Sequence, residues 1–220
     1  MKNRLVFVSR ILLLLFFTNA FAVSIDDGYQ PIRPAQPTQA PEGKIEVVEV
    51  FWYGCPHCYA FEPYLEKWLQ TKPDDVVFRR VPGVLNNSWV PHAKAYFTAE
   101  KLDILPKIHE PLFDAIHKDR KSIFTEDQLR DFFAEYGVDP DEFTKIYNSD
   151  EIETKTKQAF FMARGYRLTG VPSVVVNGKY MTSGSLAGSF ENLLAVVNYL
   201  IDKERNSQEQ TGISGDESNL

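Results

Sequence analysis

The sequence predicts an α/β fold in which a β-sheet carries an all-helical insertion. Three observations lead to this class. An apolar, β-branched run is followed by a helical pattern and a second apolar run, residues 84–165 show almost only helical periodicity, and an Asn-Gly hairpin with a closing helix follows them. The 220 residues, 44% of them hydrophobic, are enough to bury one core together with such an insertion. The order β-α-β, helical block, β-β-α therefore predicts one sheet with a helical lobe in its middle.

The first strand and the first helix meet at a cysteine. The run from Ile45 to Tyr53 is β-branched and aromatic, which predicts a strand buried on both faces, and Gly54 ends it. Pro56 suits the first position of a helix, where its missing N–H costs nothing. Apolar residues then recur at helical spacing: Phe61, Tyr64, Leu65, Trp68 and Leu69. Cys55 is thus expected at the N-terminus of a helix.

A second strand and the helical block come next. The strand is predicted from Val76 to Val81 and stops at Pro82-Gly83. The block that follows contains three helix starts: a capping box of Thr125 with Gln128, an N-cap Asp139 before Pro140, and a cap at Asp150.

The C-terminal part predicts a hairpin and a final helix. Asn177-Gly178 between Val174-Val175-Val176 and Lys179-Tyr180-Met181 is typical of a two-residue hairpin turn. Ser189 is expected to cap an amphipathic helix whose apolar face is formed by Phe190, Leu193, Leu194, Val197, Leu200 and Ile201.

The two ends of the chain are predicted to lie outside the fold. A basic start (Lys2, Arg4 and Arg10), an apolar run over residues 11–17 and the small-x-small site ending at Ala22 predict a cleavable signal peptide at residues 1–22. Because the apolar run is well below a membrane span, an anchor is the less favoured alternative. Residues 23–43 are rich in proline and are expected to form an extended lead-in, with the folded domain starting near Lys44. The polar residues 206–220 are expected to be disordered.

The composition narrows the class of partners. The formal net charge is −6 and becomes more negative when a basic signal peptide leaves, which argues against a nucleic-acid partner. His92, His109 and His117 are scattered through the helical block, so we expect surface or locally bonded histidines rather than ligands of a metal. Neither a metal nor an organic cofactor is implied.

The two cysteines, Cys55 and Cys58, are the chemically informative residues. An exported protein with a structural disulfide framework normally has several pairs, and a bridge across two residues removes little entropy from the unfolded chain. A reactive pair is therefore the better interpretation. The helix N-terminus, the neighbouring His57 and a hydrogen bond from Cys58 are each expected to stabilise a thiolate at Cys55.

A lower thiolate pKa at Cys55 shifts the redox equilibrium of the pair toward the reduced form. If the thiolate pKa falls by roughly 3 units, the reduced form gains about 4 kcal/mol. For a two-electron couple, this is on the order of 90 mV in the oxidising direction.

Two segments carry a family resemblance. The segment EVFWYGCPHCYAFE at residues 49–62 resembles the active site of the DsbA family of bacterial periplasmic oxidases. The segment from Thr169 to Pro172, with the hairpin that follows it, resembles the cis-proline loop of that family. This family is the standard example of a strongly oxidising cysteine pair with a low thiolate pKa. The shift of roughly 3 units assumed for Cys55 reflects that example.

The resemblance covers about residues 44–204 and implies a thioredoxin-like fold with an inserted all-helical domain. The thioredoxin-like domain is then expected at 44–83 and 166–205, and the insertion at 84–165.

The resemblance also implies roles for the residues of the motif. Cys55 is the expected nucleophile that forms a mixed disulfide, Cys58 the buried partner that resolves it, and His57 a stabiliser of the thiolate, with Pro56 completing the motif. The bond between Val171 and Pro172 is expected to be cis and to lie against the pair.

Two acids and a base complete the implied site. Glu49 lies in a run too apolar for an exposed face, and it matches a buried acid that accepts the proton of Cys58. Glu62 matches a more peripheral acid. The family has a basic residue near the buried acid, and the sequence leaves Arg79 and Arg80 as the two candidates.

The expected function is oxidation of paired thiols in newly exported proteins, in the periplasm, by a monomer. By resemblance, a quinone-linked membrane protein of the DsbB type reoxidises the pair. Two alternatives stay open: a disulfide isomerase or reductase that is kept reduced, and a peptide-binding chaperone module in which the cysteines are incidental.

Overall fold

The structure, a computed structural model, describes residues 28–216 of the chain, with side chains up to Gln208. The predicted signal peptide and the end of the predicted disordered tail lie outside the described residues. Among the described residues, no helix combines the length and apolar character that a membrane span requires.

The described part contains one five-stranded sheet in the order β1-β5-β4-β2-β3. Only β2 and β3 run parallel, and the other neighbours are antiparallel. The strands are β1 (Tyr29–Pro31), β2 (Ile45–Phe51), β3 (Val76–Pro82), β4 (Ser173–Val176) and β5 (Tyr180–Ser183).

Eight α-helices accompany the sheet in the described residues, and five of them lie between β3 and β4 in the chain. This arrangement confirms the predicted α/β class with a helical insertion. The helices are α1 (Pro56–Leu69), α2 (Val90–Lys101), α3 (Leu105–His117), α4 (Glu126–Glu135), α5 (Pro140–Tyr147), α6 (Asp150–Gly165), α7 (Gly184–Ala187) and α8 (Phe190–Asp216).

Local capping determines where several helices begin. The Thr125–Gln128 capping box is present at α4, and the Asp139 side chain accepts two backbone N–H bonds at the start of α5. The prediction for α6 was wrong by one residue. Ser149 is extended and accepts the N–H of Ile152, whereas Asp150 is the first helical residue, where its charge favours the helix dipole.

The lead-in segment is part of the sheet, which corrects the expected start of the fold near Lys44. Residues 29–31 form β1, which pairs with β5 along one edge. The segment continues along the hairpin through Ile32 N–H to Lys179 O at 2.7 Å and Gln36 N–H to Gly178 O at 2.9 Å. Three residues are too few to show an alternating pattern, so the strand had no sequence signature.

The final helix is longer than expected. It runs to Asp216, so residues 206–216 are helical rather than disordered. No proline interrupts this stretch, and Gln208, Glu209 and Gln210 are good helix formers even without an apolar face.

Strand β2 is buried on both faces, because its side chains alternate between two cores, one on each side of the sheet. Val48 and Val50 belong to a core shared with the helical insertion, and Ile45 and Val47 belong to a second core shared with α1 and α8. The carboxyl end of β2 leads through residues 52–55 into α1.

Candidate active site

The cysteine pair occupies the first turn of α1. Cys55 is the extended N-cap residue, and its N–H donates to Trp52 O at 2.9 Å, which closes the turn after β2. Gly54 lies against the Trp52 ring, and any β-carbon there would clash with it. Cys55 is 8% exposed and Cys58 is fully buried, and both are free thiols. Only one of the two sulfur atoms is therefore open to a partner.

The two thiols have opposite tendencies. The pKa of Cys55 is lowered from 9.0 to about 6, chiefly by a hydrogen bond from Cys58, with smaller contributions from the backbone N–H groups of Cys58 and His57. The charge of His57 is the smallest of these causes. Burial raises the pKa of Cys58 well above its ordinary value, and the hydrogen bond to Cys55 adds to this. Cys55 therefore ionises easily to a thiolate, whereas Cys58 keeps its proton.

The cis-proline loop lies against the Cys55 sulfur. The peptide bond between Val171 and Pro172 is cis, and Cys55 Sγ lies 3.5 Å from Val171 O. A groove of about 600 Å³ opens beside the loop. Its lining includes His57, Thr169, Pro172, Met181, Leu186 and Phe190.

Glu49 is a fully buried acid whose arginine partner is Arg80. Arg80 Nε donates to Glu49 Oε2 at 3.0 Å, and its Nη2 donates to Glu62 Oε2 at 2.7 Å and to Glu66 Oε1 at 2.9 Å. Of the two candidate bases, Arg80 is therefore the one at Glu49. The other, Arg79, donates to the buried Glu46 at 3.0 Å.

Two of the three acids bonded to Arg80, Glu49 and Glu62, hold protons more tightly than ordinary carboxyls. The pKa of Glu49 rises from 4.5 to about 7 because of burial and the charge of Glu62, against the opposing charge of Arg80. Burial likewise raises the pKa of Glu62 to about 7. The charge of Glu49 in turn raises the pKa of the Cys58 thiol. Glu62 is 15% exposed, so it is less peripheral than the resemblance implied.

The three histidines of the insertion are hydrogen-bonded within the protein. His92 Nε2 lies 2.6 Å from Ile123 O, and His117 Nε2 lies 2.7 Å from Tyr53 O. His109 Nδ1 lies 2.8 Å from the Tyr53 hydroxyl, and its Nε2 lies 3.6 Å from Glu62 Oε2. His109 therefore joins the acid cluster at the candidate site.

The sequence did not single out Tyr53 and His109. One indication was available for His109. It shares a helical face with residues at three- and four-residue spacing, Leu112, Phe113 and Ile116, all of them buried.

Aromatic rings surround the pair on the side of the insertion. Trp52 stacks on Trp89 with ring centroids 4.5 Å apart, and Tyr59 stacks on His117 at 5.1 Å. The Tyr59 hydroxyl donates to Asp114 at 2.7 Å, which fixes the ring beside the first turn of α1.

A family model and curated relatives both relate this chain to DsbA proteins. The family model described as "DSBA-like thioredoxin domain" matches residues 75–194, a range that begins after the cysteine pair. The thiol:disulfide interchange protein DsbA of Azotobacter vinelandii is 46% identical over 175 residues, which cover 78% of this chain and 82% of that protein. The protein of the same name from Pseudomonas aeruginosa is 43% identical over 175 residues, covering 80% of this chain and 81% of that one.

Solved structures agree. The crystal structure of Pseudomonas aeruginosa DsbA superimposes with a TM-score of 0.78 at 41% identity, covering 84% of this chain and 95% of that one. The oxidoreductase DsbA from Xylella fastidiosa gives a TM-score of 0.75 at 38% identity, covering 81% of this chain and 96% of that one. Both the sequence and the architecture are thus shared with these proteins over most of their length.

Proposed function

The chain belongs to the DsbA-like thioredoxin-domain family and is a protein thiol:disulfide oxidoreductase, and from this premise we propose that it acts as an oxidase that donates the Cys55–Cys58 disulfide to exported proteins. The observation that carries the direction is the pairing of a low-pKa, accessible Cys55 with a buried, high-pKa Cys58. A stabilised thiolate favours the reduced pair, so its disulfide passes readily to substrate thiols.

The proposed reaction has two exchange steps. A substrate thiolate attacks Cys55 of the disulfide, a substrate–Cys55 bond forms, and Cys58 leaves and takes up one proton. A second substrate thiolate then attacks the substrate sulfur of this mixed disulfide, and Cys55 leaves as a thiolate. Two substrate thiols are oxidised by two electrons, and of their two protons one remains on Cys58 while the other goes to solvent.

The surrounding residues take supporting roles in this proposal. Glu49 exchanges the proton of Cys58, which is consistent with its burial and with its pKa of about 7. His57 contributes to the thiolate, although less than Cys58 does. Val171 and Pro172 border the groove beside Cys55, and the backbone there is offered to an extended substrate.

The setting of the reaction is also part of the proposal. We place the mature protein in the periplasm after removal of residues 1–22, as a monomer, with a redox partner of the DsbB type as the reoxidant. In this proposal, residues 44–83 and 166–205 form the thioredoxin-like domain, with β1 added at the edge of its sheet, and residues 84–165 form the inserted domain.

The redox equilibrium of the pair against a glutathione buffer tests the direction, with the Cys55 thiolate followed by ultraviolet absorbance through a pH titration. We expect a thiolate midpoint well below that of an ordinary thiol, and a pair much more oxidising than thioredoxin. A pair as reducing as thioredoxin would favour the reductase or isomerase alternative.

Three variants complete the test. Cys55→Ala is expected to abolish thiol oxidation, whereas a chaperone module would keep its activity. Cys58→Ala is expected to raise the thiolate midpoint more than His57→Ala does, because the hydrogen bond from Cys58 is the larger cause. A larger shift of the Cys55 thiolate midpoint in His57→Ala would show that His57 is the main stabiliser of the thiolate.

A further inference from the structure

His109 is fixed in place next to the acids of the candidate site. It lies on α3, is 7% exposed, and its Nδ1 is bonded to the Tyr53 hydroxyl at 2.8 Å. Phe51 and Phe113 pack edge-on against its ring at 5.2 and 5.3 Å. The ring therefore has one orientation, and this orientation determines where its second nitrogen points.

The second nitrogen faces a carboxyl group. His109 Nε2 is buried and has no hydrogen-bond partner among the described residues, and Glu62 Oε2 lies 3.6 Å away. A neutral imidazole has one donor and one acceptor nitrogen, so a Tyr53 hydroxyl that donates to Nδ1 leaves the proton on Nε2. Hydrogen bonds of this kind are often long in a resting site and shorten during the reaction.

We propose that His109 is a positioning residue that donates its Nε2–H to the Glu62 carboxylate and thereby directs the proton of the acid pair onto Glu49. The donation stabilises charged Glu62, and charged Glu62 opposes ionisation of Glu49. The proton then stays on the acid whose charge acts on Cys58. This inference rests on the proposed role of Glu49 in proton exchange with Cys58.

The charge state of His109 fits the role of a constant donor. Burial lowers its pKa to about 3, so the ring stays neutral throughout the range in which the two acids titrate. A charged His109 would lower the pKa of Glu49 directly, and a neutral ring does not have this effect. The titratable groups that face the acid pair come from every packed element: Tyr53, Cys58, Glu66, Arg80, Tyr96 and Glu110. Of these groups, Arg80 is the cation that both acids already share.

The test is a pH titration of the glutamate carboxyl carbons by NMR in the reduced protein. In His109→Leu we expect the Glu62 midpoint to rise by about one unit, because a charge-assisted hydrogen bond is lost. The Glu49 midpoint is expected to fall by about half a unit, because Glu62 is then less charged. His109→Gln, which keeps a donor, is expected to restore part of both shifts.

The matched control is His92→Leu, because His92 is also a buried histidine of the insertion but is bonded to Ile123 O and not to an acid. We expect it to leave both carboxyl midpoints unchanged. Unchanged midpoints in His109→Leu would overturn the proposal. If that variant does not fold, Tyr53→Phe frees Nδ1 and should move both midpoints the same way by less, and no movement there would also overturn it.

A second readout separates this inference from the proposed function. Cys55 is converted to its mixed disulfide with glutathione, and the release of glutathione by Cys58 is followed against pH. We expect the midpoint of this release to fall with that of Glu49 in His109→Leu. Shifted carboxyls with an unshifted release profile would contradict the role of Glu49 in the proposed function while leaving the contact of His109 with Glu62 intact.

Discussion

Glu46 and Glu49 lie on the same strand, are equally buried and each accept a bond from an arginine of β3. Both carboxyls are fully buried, and both arginine contacts, Arg79 with Glu46 and Arg80 with Glu49, measure 3.0 Å. Because the two acids are three residues apart, they point to opposite faces of the sheet. Glu46 faces the insertion core and Glu49 the side of the sheet that carries α1.

The two ion pairs differ in the number of acids that contact each arginine. Among the described residues, Arg79 has one acidic partner, and Glu46 receives a further bond from Gln39 N–H at 2.9 Å. Arg80 contacts Glu62 and Glu66 in addition to Glu49. One cation thus serves three acids, and at least one of them retains its proton more readily. Burial is the largest cause of the raised pKa values of Glu49 and Glu62, and repulsion among the acids gathered around Arg80 adds to it.

The largest expected effect comes from removing each arginine in turn. Arg80→Met leaves Glu49 and Glu62 buried without a cation, so we expect the free energy of unfolding at pH 8 to fall by about 3–5 kcal/mol. Arg79→Met should cost about 1–2 kcal/mol, because Glu46 keeps its backbone N–H bond. Denaturant unfolding of the reduced proteins measures both. Equal losses would show that the two ion pairs are equivalent.

Neutralising each acid should change stability in opposite directions. The folded pKa of Glu49 is about 7, above the ordinary 4.5, so its contribution to stability falls as the pH rises from about 4.5 to about 7. At pH 8 this penalty is complete, and Glu49→Gln should raise the free energy of unfolding by about 1–3 kcal/mol.

Glu46→Gln is the matched variant for this test. It weakens a one-to-one ion pair and should lower the free energy of unfolding by about 1–2 kcal/mol. Unfolding at pH 8 and at pH 5 separates the two variants, since the gain from Glu49→Gln should largely disappear at pH 5. A loss of stability in both variants at pH 8 would contradict the comparison.

The smallest effect is expected at the rim of the cluster. Glu66 is 55% exposed and contacts Arg80 at 2.9 Å, so Glu66→Gln should change stability by less than about 0.5 kcal/mol. Unfolding at low and high salt checks this, because an exposed pair is screened. A change as large as that of Glu49→Gln would mean that all three acids belong to one cooperative group.

Local sequence patterns predicted the parts of the site that depend on local structure. A buried strand, a glycine and a proline at the first helical position placed Cys55 at the start of a helix, and α1 begins there. Capping residues likewise predicted the starts of α4 and α5. These features depend on neighbours within a few residues, so they can be predicted from one sequence alone.

Features that depend on pairing between distant segments were not predictable. The choice between Arg79 and Arg80 follows from the parallel register that places Glu49 opposite Arg80, and nothing local encodes that register. His109 reaches the acids because α3 packs against α1. β1 was missed because a three-residue edge strand has no pattern of its own.

The edge strand β1 also has a consequence for biogenesis. Its partner β5 and the turn around Gly178, where any β-carbon would clash with the backbone of Gln36, are translated about 150 residues after it. Because pairing over such a separation closes a long loop, it is among the slow contacts of folding. A truncated chain that stops before Tyr180 leaves β1 without its partner strand. Pairing of this edge therefore requires that the chain has been made at least as far as β5.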